Sequence, residues 1–169
     1  QNAGRTRRRG AEASLDWRFA APWHLQLAYT YVDASYSDAY YTCTAAPCGT
    51  PTVPVAAGNL LPGVPKSNAY AALRYGAEVG MQYAATAQYV SSVPVNDINS
   101  VYAPGYGVYG ASAGYASHYA RGDWNVFVRA NNLFNRHYIG SVIVDDSNGR
   151  YFEPAGGFNV LAGGSVSWR

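Results

Sequence analysis

Cys43 and Cys48 are the residues of this chain best suited to covalent chemistry. In an oxidising compartment, two cysteines this close in sequence most simply form a local disulfide. Pro47, Pro51 and Pro54 stiffen the same segment. A metal site needs further ligands, and none is near in the sequence. The spacing therefore predicts a disulfide that closes a loop tip, with free thiols or a metal site as the alternatives.

Other residue types with catalytic potential form no recognisable pattern. His24, His118 and His137 are too far apart in the predicted arrangement to coordinate one ion. The sequence has no glycine-rich phosphate loop, no paired catalytic carboxylates and no Ser-His-Asp signature. We therefore expect no catalytic residue, no metal site, no cofactor and no enzymatic activity.

Three polar or tyrosine-rich stretches are candidate ligand contacts. Tyr40 and Tyr41 offer flat rings with polar tips, which suit catecholate or other flat ring systems. Asp97, Asp145 and Asp146 could accept hydrogen bonds from a ligand or hold a cation. A solvated loop tip explains the three carboxylates equally well.

Seven runs of alternating apolar and polar residues must position these groups. The gaps between the runs are alternately short and long: 20–22, 38–67, 76–80, 91–105, 120–123 and 135–157. Antiparallel transmembrane β-barrels join their strands by short periplasmic turns and longer external loops in this way. The sequence therefore predicts an all-β, antiparallel barrel segment of about seven strands.

Composition supports a membrane strand sheet. The chain is 49% hydrophobic and only 13% charged, with 16 Tyr and 18 Gly among its 169 residues. No run of 18 apolar residues exists, so no transmembrane helix is expected. In lipid, a closed barrel is the remaining way to satisfy every backbone polar group. Glu12, Arg18, Arg74 and Arg129 share the polar parity and should face a wet or plugged interior.

Aromatic residues set the orientation. All four tryptophans lie on the apolar parity beside a short gap or at the chain end, as an interfacial girdle at the periplasmic rim requires: Trp17, Trp23, Trp124 and Trp168. A second belt near the long gaps is expected from Tyr31, Tyr36, Tyr89, Tyr106 and Phe158. A soluble aromatic core is the alternative, but it does not require every Trp to lie at one end.

An arginine run precedes the first strand in this orientation, at its outer end. Arg5, Arg7 and Arg9 are candidate contacts for lipopolysaccharide phosphates, which guanidinium groups bind bidentately, and Arg8 belongs to the same run. A solvated strand end is the alternative. Nucleic acid requires a basic stripe with interleaved aromatics, and none exists beyond this run, so no nucleic-acid partner is expected.

The strand number indicates a piece of a larger barrel. Seven is odd, whereas single-chain bacterial barrels close with an even number of strands. Strands are therefore expected to be missing on the N-terminal side. Two other readings stay open: a complete small barrel of about eight strands, with an adhesive, structural or lipid-modifying role, and a secreted, disulfide-bonded, sugar-binding β-domain.

Several segments, in order, resemble the TonB-dependent outer-membrane receptors. The segment 124–138 is similar to that family's Asn-Leu-Phe penultimate strand, and 150–160 to its lead into the closing strand, although Phe158 stands where Arg is usual. Weaker likenesses cover 9–12, 29–34 and 61–65. The five likenesses in the correct order span nearly the whole chain.

The resemblance implies fold, partners and location. Residues 1–169 would be the C-terminal part of a barrel of about 22 strands with a plugged lumen, in the outer membrane of a Gram-negative cell. The plug and the segment that contacts TonB lie N-terminal in the family, so the segment alone should not transport. Implied partners are outer-membrane lipid, the rest of the barrel and its plug, the TonB system, and a large scarce nutrient such as a ferric siderophore.

Overall fold

Strands are the regular elements in the part of the chain that the structure describes. A computed structural model describes residues 4–43, 45 and 47–168, and contains no helix in that part. The strands are β1 (Thr6–Ala20), β2 (Trp23–Tyr36), β3 (Tyr40–Thr42), β4 (Val53–Val55), β5 (Ser67–Tyr75), β6 (Gly80–Val90), β7 (Val93–Pro94), β8 (Tyr102–Ala103), β9 (Tyr106–Tyr119), β10 (Gly122–Asn131), β11 (Ile139–Val142), β12 (Phe152–Pro154) and β13 (Asn159–Trp168). No helix in this described part is long and apolar enough to cross a membrane.

Seven long strands make one antiparallel sheet in the order β1-β2-β5-β6-β9-β10-β13. These strands match the seven predicted runs, so the predicted all-β antiparallel class is confirmed. The first run extends further than expected, because β1 begins at Thr6 and includes Arg7, Arg8 and Arg9. β1 and β13 form the two edges of the sheet.

The strand register places the apolar parities on one face. A single row crosses five strands from Leu15 through Leu27, Ala71 and Ala87 to Tyr109. Because side chains alternate along a strand, every second residue from this row faces the same way. We call this the outward face and its opposite the inward face. Leu27 is 39% exposed and Val128 45%, so the outward face presents apolar side chains to its surroundings.

The connections divide the sheet into two different ends. Residues 21–22, 76–79 and 120–121 make tight turns at one end. The three long connections lie at the other, and each contains a two-stranded hairpin: β3–β4, β7–β8 and β11–β12. The sequence did not predict these hairpins, because their strands are only two to four residues long.

Aromatic rings form a continuous row at the tight-turn end. Ring centroids are 5.0 Å apart for Trp17 and Phe19, 6.3 Å for Phe19 and Trp23, and 4.8 Å for Trp23 and Tyr75. Further along the sheet, Trp124 packs on Tyr115, and Trp168 is 78% exposed at the end of β13. The structure thus places all four tryptophans at the end of the sheet where we expected a girdle.

The prediction of a second aromatic belt is wrong for two of its five residues. Tyr36 and Tyr106 do not lie on the outward face, because both occupy the inward parity of their strands. Tyr36 is only 6% exposed and packs with neighbouring loops, while Tyr106 packs on Tyr138 with centroids 4.2 Å apart. Tyr31, Tyr89 and Phe158 are exposed, as a belt requires.

Most of the buried side chains lie at the end of the sheet with the long connections. The main cluster consists of Ala34, Tyr36, Val55 and Leu61. Val95, in the second long connection, is fully buried as well. The long connections therefore pack on one another and on the end of β2, and they hold the candidate ligand residues in place.

Candidate functional site

The inward face at the tight-turn end carries a polar network. The Asp16 carboxylate accepts hydrogen bonds from Gln26 at 2.8 Å and pairs with His24 Nε2 at 2.7 Å. Arg74 donates in turn to the Gln26 side-chain oxygen. These residues come from three adjacent strands and lie across from one another in the register. Charged and amide side chains thus hydrogen-bond to one another across this face, which suits a surface facing an aqueous interior.

The closing strands continue the polar lining. Asn125 donates to Ser165 at 2.8 Å, and Asn131 donates to Asn159 at 2.8 Å, both across the β10–β13 pair. Leu161 is one apolar exception on this face, and Phe127 is another. Its ring covers Gly163, where a Cβ would lie 2.8 Å from the ring, so the ring occupies space that a larger residue on β13 would fill.

A groove of about 340 Å³ lies on the inward face near the long connections. Its lining includes Tyr70, Gln88, Asn131, Tyr138 and Asn159. Hydroxyl and amide groups beside aromatic rings can hydrogen-bond an oxygen-rich ligand and stack on flat rings. None of the described lining residues is charged. Sequence reasoning did not find this groove, because its residues come from separate strands and a loop.

A larger apolar groove of about 510 Å³ lies mainly on the outward face. Leu15, Leu27, Tyr29, Tyr89 and Tyr109 line it. This groove is mainly apolar and belongs to the apolar surface described above.

The predicted ligand residues Asp97 and Asp145 are brought together. The Asp97 amide donates to Asp145 Oδ1 at 2.9 Å, and the Tyr36 hydroxyl donates to Asp97 Oδ1 at 2.5 Å. Asn59 donates to the Asp97 carbonyl at 2.9 Å, which ties in the first long connection. Asp97 therefore joins all three long connections. We call this contact set, Tyr36, Asn59, Asp97 and Asp145, the loop interlock.

Asparagine hydrogen bonds reinforce the loop interlock. Asn99 accepts from the Leu60 amide at 2.7 Å and donates to the Leu60 carbonyl at 2.9 Å. Asn99 and Asp145 both adopt positive φ, at 56° and 52°. Left-handed backbone is accessible to Asn and Asp more readily than to most residues. The side chains that make the contacts thus also permit the turns.

Burial alters the ionisation of the candidate residues. It raises the pKa of the Asp145 carboxyl above its usual value, and the nearby Asp97 carboxylate contributes in the same direction. Burial raises the pKa of the Tyr40 hydroxyl as well. Tyr40 packs on Tyr36 with ring centroids 5.0 Å apart. Among the predicted ligand residues, Tyr40, Asp97 and Asp145 are therefore parts of loop packing.

The other two predicted ligand residues lie apart from the interlock. Asp146 accepts a hydrogen bond from the Arg150 amide at 2.6 Å, which caps a local turn. Tyr41 is 59% exposed on β3. It is the candidate whose ring is most available from outside.

The cysteine pair lies at the tip of the first hairpin. Cys43 and Cys48 are joined by a disulfide between β3 and β4. Neither Cys takes part in a metal cluster, and no group of three or more His, Cys, Asp and Glu residues in the described chain could hold a metal ion. His137 lies in the third long connection, far along the chain from the wall histidines His24 and His118.

The four arginines of the run have different environments. Arg5 pairs with Asp38, with guanidinium-to-carboxylate distances of 3.0 Å. This hydrogen bonding holds the pKa of the Asp38 carboxyl below its usual value. Arg7 and Arg9 share the outward parity with Ala11, whereas Arg8 lies on the inward parity. The four arginines therefore do not form a single positively charged patch on one face.

Known proteins share this antiparallel sheet. A family model described as TonB dependent receptor-like, beta-barrel matches residues 1–133. The siderophore receptor PiuA from Acinetobacter baumannii is 24% identical with a TM-score of 0.79, over 96% of this chain and 22% of that chain. The ferric yersiniabactin uptake receptor FyuA from Yersinia pestis is 18% identical with a TM-score of 0.73, over 98% of this chain and 24% of that chain.

The ferric-catecholate import receptor Fiu from E. coli K12 has the same fold, with 22% identity and a TM-score of 0.63, over 96% of this chain and 21% of that chain. This chain thus spans less than a quarter of the length of the receptors it matches. At these identities the likeness shows the fold alone. With the family model covering most of the sequence, the chain belongs to the TonB-dependent receptor-like β-barrel family.

Proposed function

We propose that residues 1–169 form the C-terminal strands of an outer-membrane receptor for TonB-dependent uptake of a ferric siderophore. The family is one of transport receptors of the outer membrane. Solved structures with this fold are named as a siderophore receptor, a ferric-catecholate import receptor and a ferric yersiniabactin uptake receptor. The plug, the remaining barrel strands and TonB itself would be the protein partners.

The observation that carries the proposal is the division of the sheet into two unlike faces. Apolar residues cover the outward face, and hydrogen-bonded polar residues cover the inward face. A wall with lipid on one side and water on the other requires this division. A complete eight-stranded barrel is less well supported, since this chain aligns with less than a quarter of each much longer receptor.

The inward groove is the proposed ligand-contacting part of this segment. Tyr70, Gln88 and Tyr138 offer rings, amide and hydroxyl groups without a fixed charge. Such groups suit an uncharged or weakly charged chelate with flat rings and many oxygen atoms, in which the ligand itself neutralises the iron. Tyr41, on the exposed first hairpin, would be a first contact outside.

Uptake of radioactive iron tests the proposal. Cells grown without iron should import ferric siderophore only when they carry the full-length receptor and a working TonB system. A panel of catecholate, hydroxamate and mixed siderophores would identify the class. If no siderophore in the panel enters in a receptor-dependent way, the proposed function is wrong.

Matched tyrosine variants test the groove. Tyr70→Ala removes an inward ring, and we expect a rise in the KM of uptake of roughly fivefold for loss of one ring contact. Tyr89→Ala removes an outward ring of the same type on the neighbouring strand and should leave KM unchanged. Equal effects of the two variants would contradict a ligand contact at the groove.

A further inference from the structure

The outward face changes character at the outer end of β1. Ala11 lies opposite Tyr31, a residue of the outer aromatic belt. Beyond it on the same face are Arg9 and then Arg7. The two arginines are two residues apart, which places their side chains roughly 7 Å from each other along the strand. A lipid-facing surface therefore ends in two cations just above the belt.

Neighbouring cations at this level already have carboxylate partners. Arg5 pairs with Asp38 at 3.0 Å. Lys66 Nζ lies 3.7 Å from Asp33 Oδ1, and Asp33 is the residue opposite Arg9. Within residues 4–43, 45 and 47–168, neither Arg7 nor Arg9 has an ion pair or side-chain hydrogen bond. Both are exposed. Arg9 lies opposite Asp33 and Arg7 opposite Ser35, and both guanidinium groups lie on this face where the membrane surface begins.

We propose that Arg7 and Arg9 form a binding site for the phosphate groups of lipopolysaccharide in the outer leaflet. A guanidinium group binds phosphate through two parallel N–H···O bonds, and it is less strongly hydrated than an ammonium group. The adjacent outward face, with Ala11, Ala13 and Leu15, would contact the acyl chains of the same lipid. Phosphate and acyl chain are then recognised on one strand, in the order in which the lipid presents them.

The proposed site contains fewer arginines than the sequence predicted. Arg5 was expected to contribute, but its guanidinium is held by Asp38. Arg8 faces the interior and cannot reach the same lipid. The proposal goes beyond uptake, although it relies on the outer-membrane location. Loss of lipid binding with normal iron import, or the reverse, would separate the two proposals.

The test uses the full-length receptor reconstituted in phosphatidylcholine nanodiscs. Binding of bisphosphorylated lipid A is measured by native mass spectrometry for wild type and variants. Arg7→Gln/Arg9→Gln should weaken binding roughly tenfold or more, since each guanidinium supplies charge-assisted hydrogen bonds. Arg7→Lys/Arg9→Lys should be intermediate, because the charge remains and the bidentate geometry is lost.

Arg8→Gln is the matched control, with the same loss of charge on the same strand but the opposite face. We expect less than a twofold change. Equal weakening by Arg8→Gln would show that only net charge matters and would overturn the site. Unchanged binding in Arg7→Gln/Arg9→Gln would overturn it as well.

Two further measurements distinguish lipid-bound phosphate from free phosphate. Dephosphorylated lipid A should bind equally to wild type and to Arg7→Gln/Arg9→Gln, because the phosphate contacts are absent. Inorganic phosphate at millimolar concentration should not displace bisphosphorylated lipid A. Displacement by inorganic phosphate would mean a general anion site and would overturn the assignment to lipid. Retained heat-modifiable migration on a gel confirms that each variant is folded.

Discussion

The sheet and the loop interlock differ in which of their side chains are buried. In the sheet, large apolar side chains such as Leu27 and Val128 stay exposed. In the long connections, Val55 and Val95 are fully buried, and polar side chains such as Asn96 are buried beside them. At the proposed outer-membrane location the sheet is covered by lipid, whereas the loops are covered by each other. Stability should therefore depend on the membrane in one region and on internal hydrogen bonds in the other.

The closing strand pair should be the most sensitive part of the sheet. Gly122 has a φ of 154°, and a Cβ there would lie 1.8 Å from the Ser167 carbonyl oxygen. Gly122→Ala should force β10 and β13 apart at the girdle end and cost about 4 kcal/mol of unfolding free energy. Urea unfolding of the full-length receptor in detergent measures this.

Gly49→Ala is the matched control in the loop region. A Cβ at Gly49 would have no atom within 4 Å. We expect a change below about 0.5 kcal/mol. Equal destabilisation by the two alanines would contradict the close contact at Gly122.

A charge on each face tests the lipid assignment directly. Leu27 lies midway along β2 between the rim residue Trp23 and the belt residue Tyr31. Leu27→Arg places a guanidinium near the middle of the bilayer and should cost about 3 kcal/mol in lipid. Ala28→Arg, one residue on, points inward and should cost much less. Unfolding in lipid vesicles distinguishes the two, and a larger loss from Ala28→Arg would reverse the assignment of the faces.

A lost contact in the loop interlock should have a smaller and more local effect. Asp145→Ala removes the acceptor of the Asp97 amide, whose bond is 2.9 Å long. The amide then loses its acceptor, which costs about 1 kcal/mol. Hydrogen exchange should rise severalfold in 91–105, while amides in β9 and β10 stay protected. Asp145→Asn keeps an oxygen acceptor and should preserve most of the protection.

The sequence predicts the sheet far better than the loops, for a physical reason. Lipid on one face and water on the other impose a period of two, which a single strand records without reference to its partners. The interlock has no such local signal, since Asp97 and Asp145 meet across 48 residues. The inward groove likewise draws on Tyr70, Gln88 and Asn131 from three strands.

For some residues, the alternation of apolar and polar side chains along the strand does not predict the structural role. Phe127 is apolar on the inward face, yet it covers Gly163 on the next strand. Tyr36 belongs to β2 by pattern, but the long connections enclose it. Both residues are explained by neighbours that are distant in sequence, and no reading of one strand alone would place them.

The smallest expected effect is the response of the loop interlock to pH. Burial raises the pKa of Asp145 above its ordinary value of 3.8. The closed interlock therefore binds a proton more readily than the open loops, so its stability should rise as pH falls from neutral through the raised pKa. Asp38 has a lowered pKa and acts in the opposite direction, but only as pH falls below 3.8. The two effects thus occupy separate pH ranges.

Hydrogen exchange of the Leu60 and Asp97 amides, corrected for intrinsic rates, measures this response. Protection should increase in wild type as pH falls from 7 to 4, above the ordinary pKa of 3.8. Asp145→Asn cannot titrate, so its protection should be flat over that range. A fall in wild-type protection between pH 7 and pH 4 would mean that the charged form of Asp145 stabilises the loops. Burial would then be outweighed by the hydrogen bond from the Asp97 amide, and the contrast between lipid-covered sheet and self-covered loops would be weaker than the packing indicates.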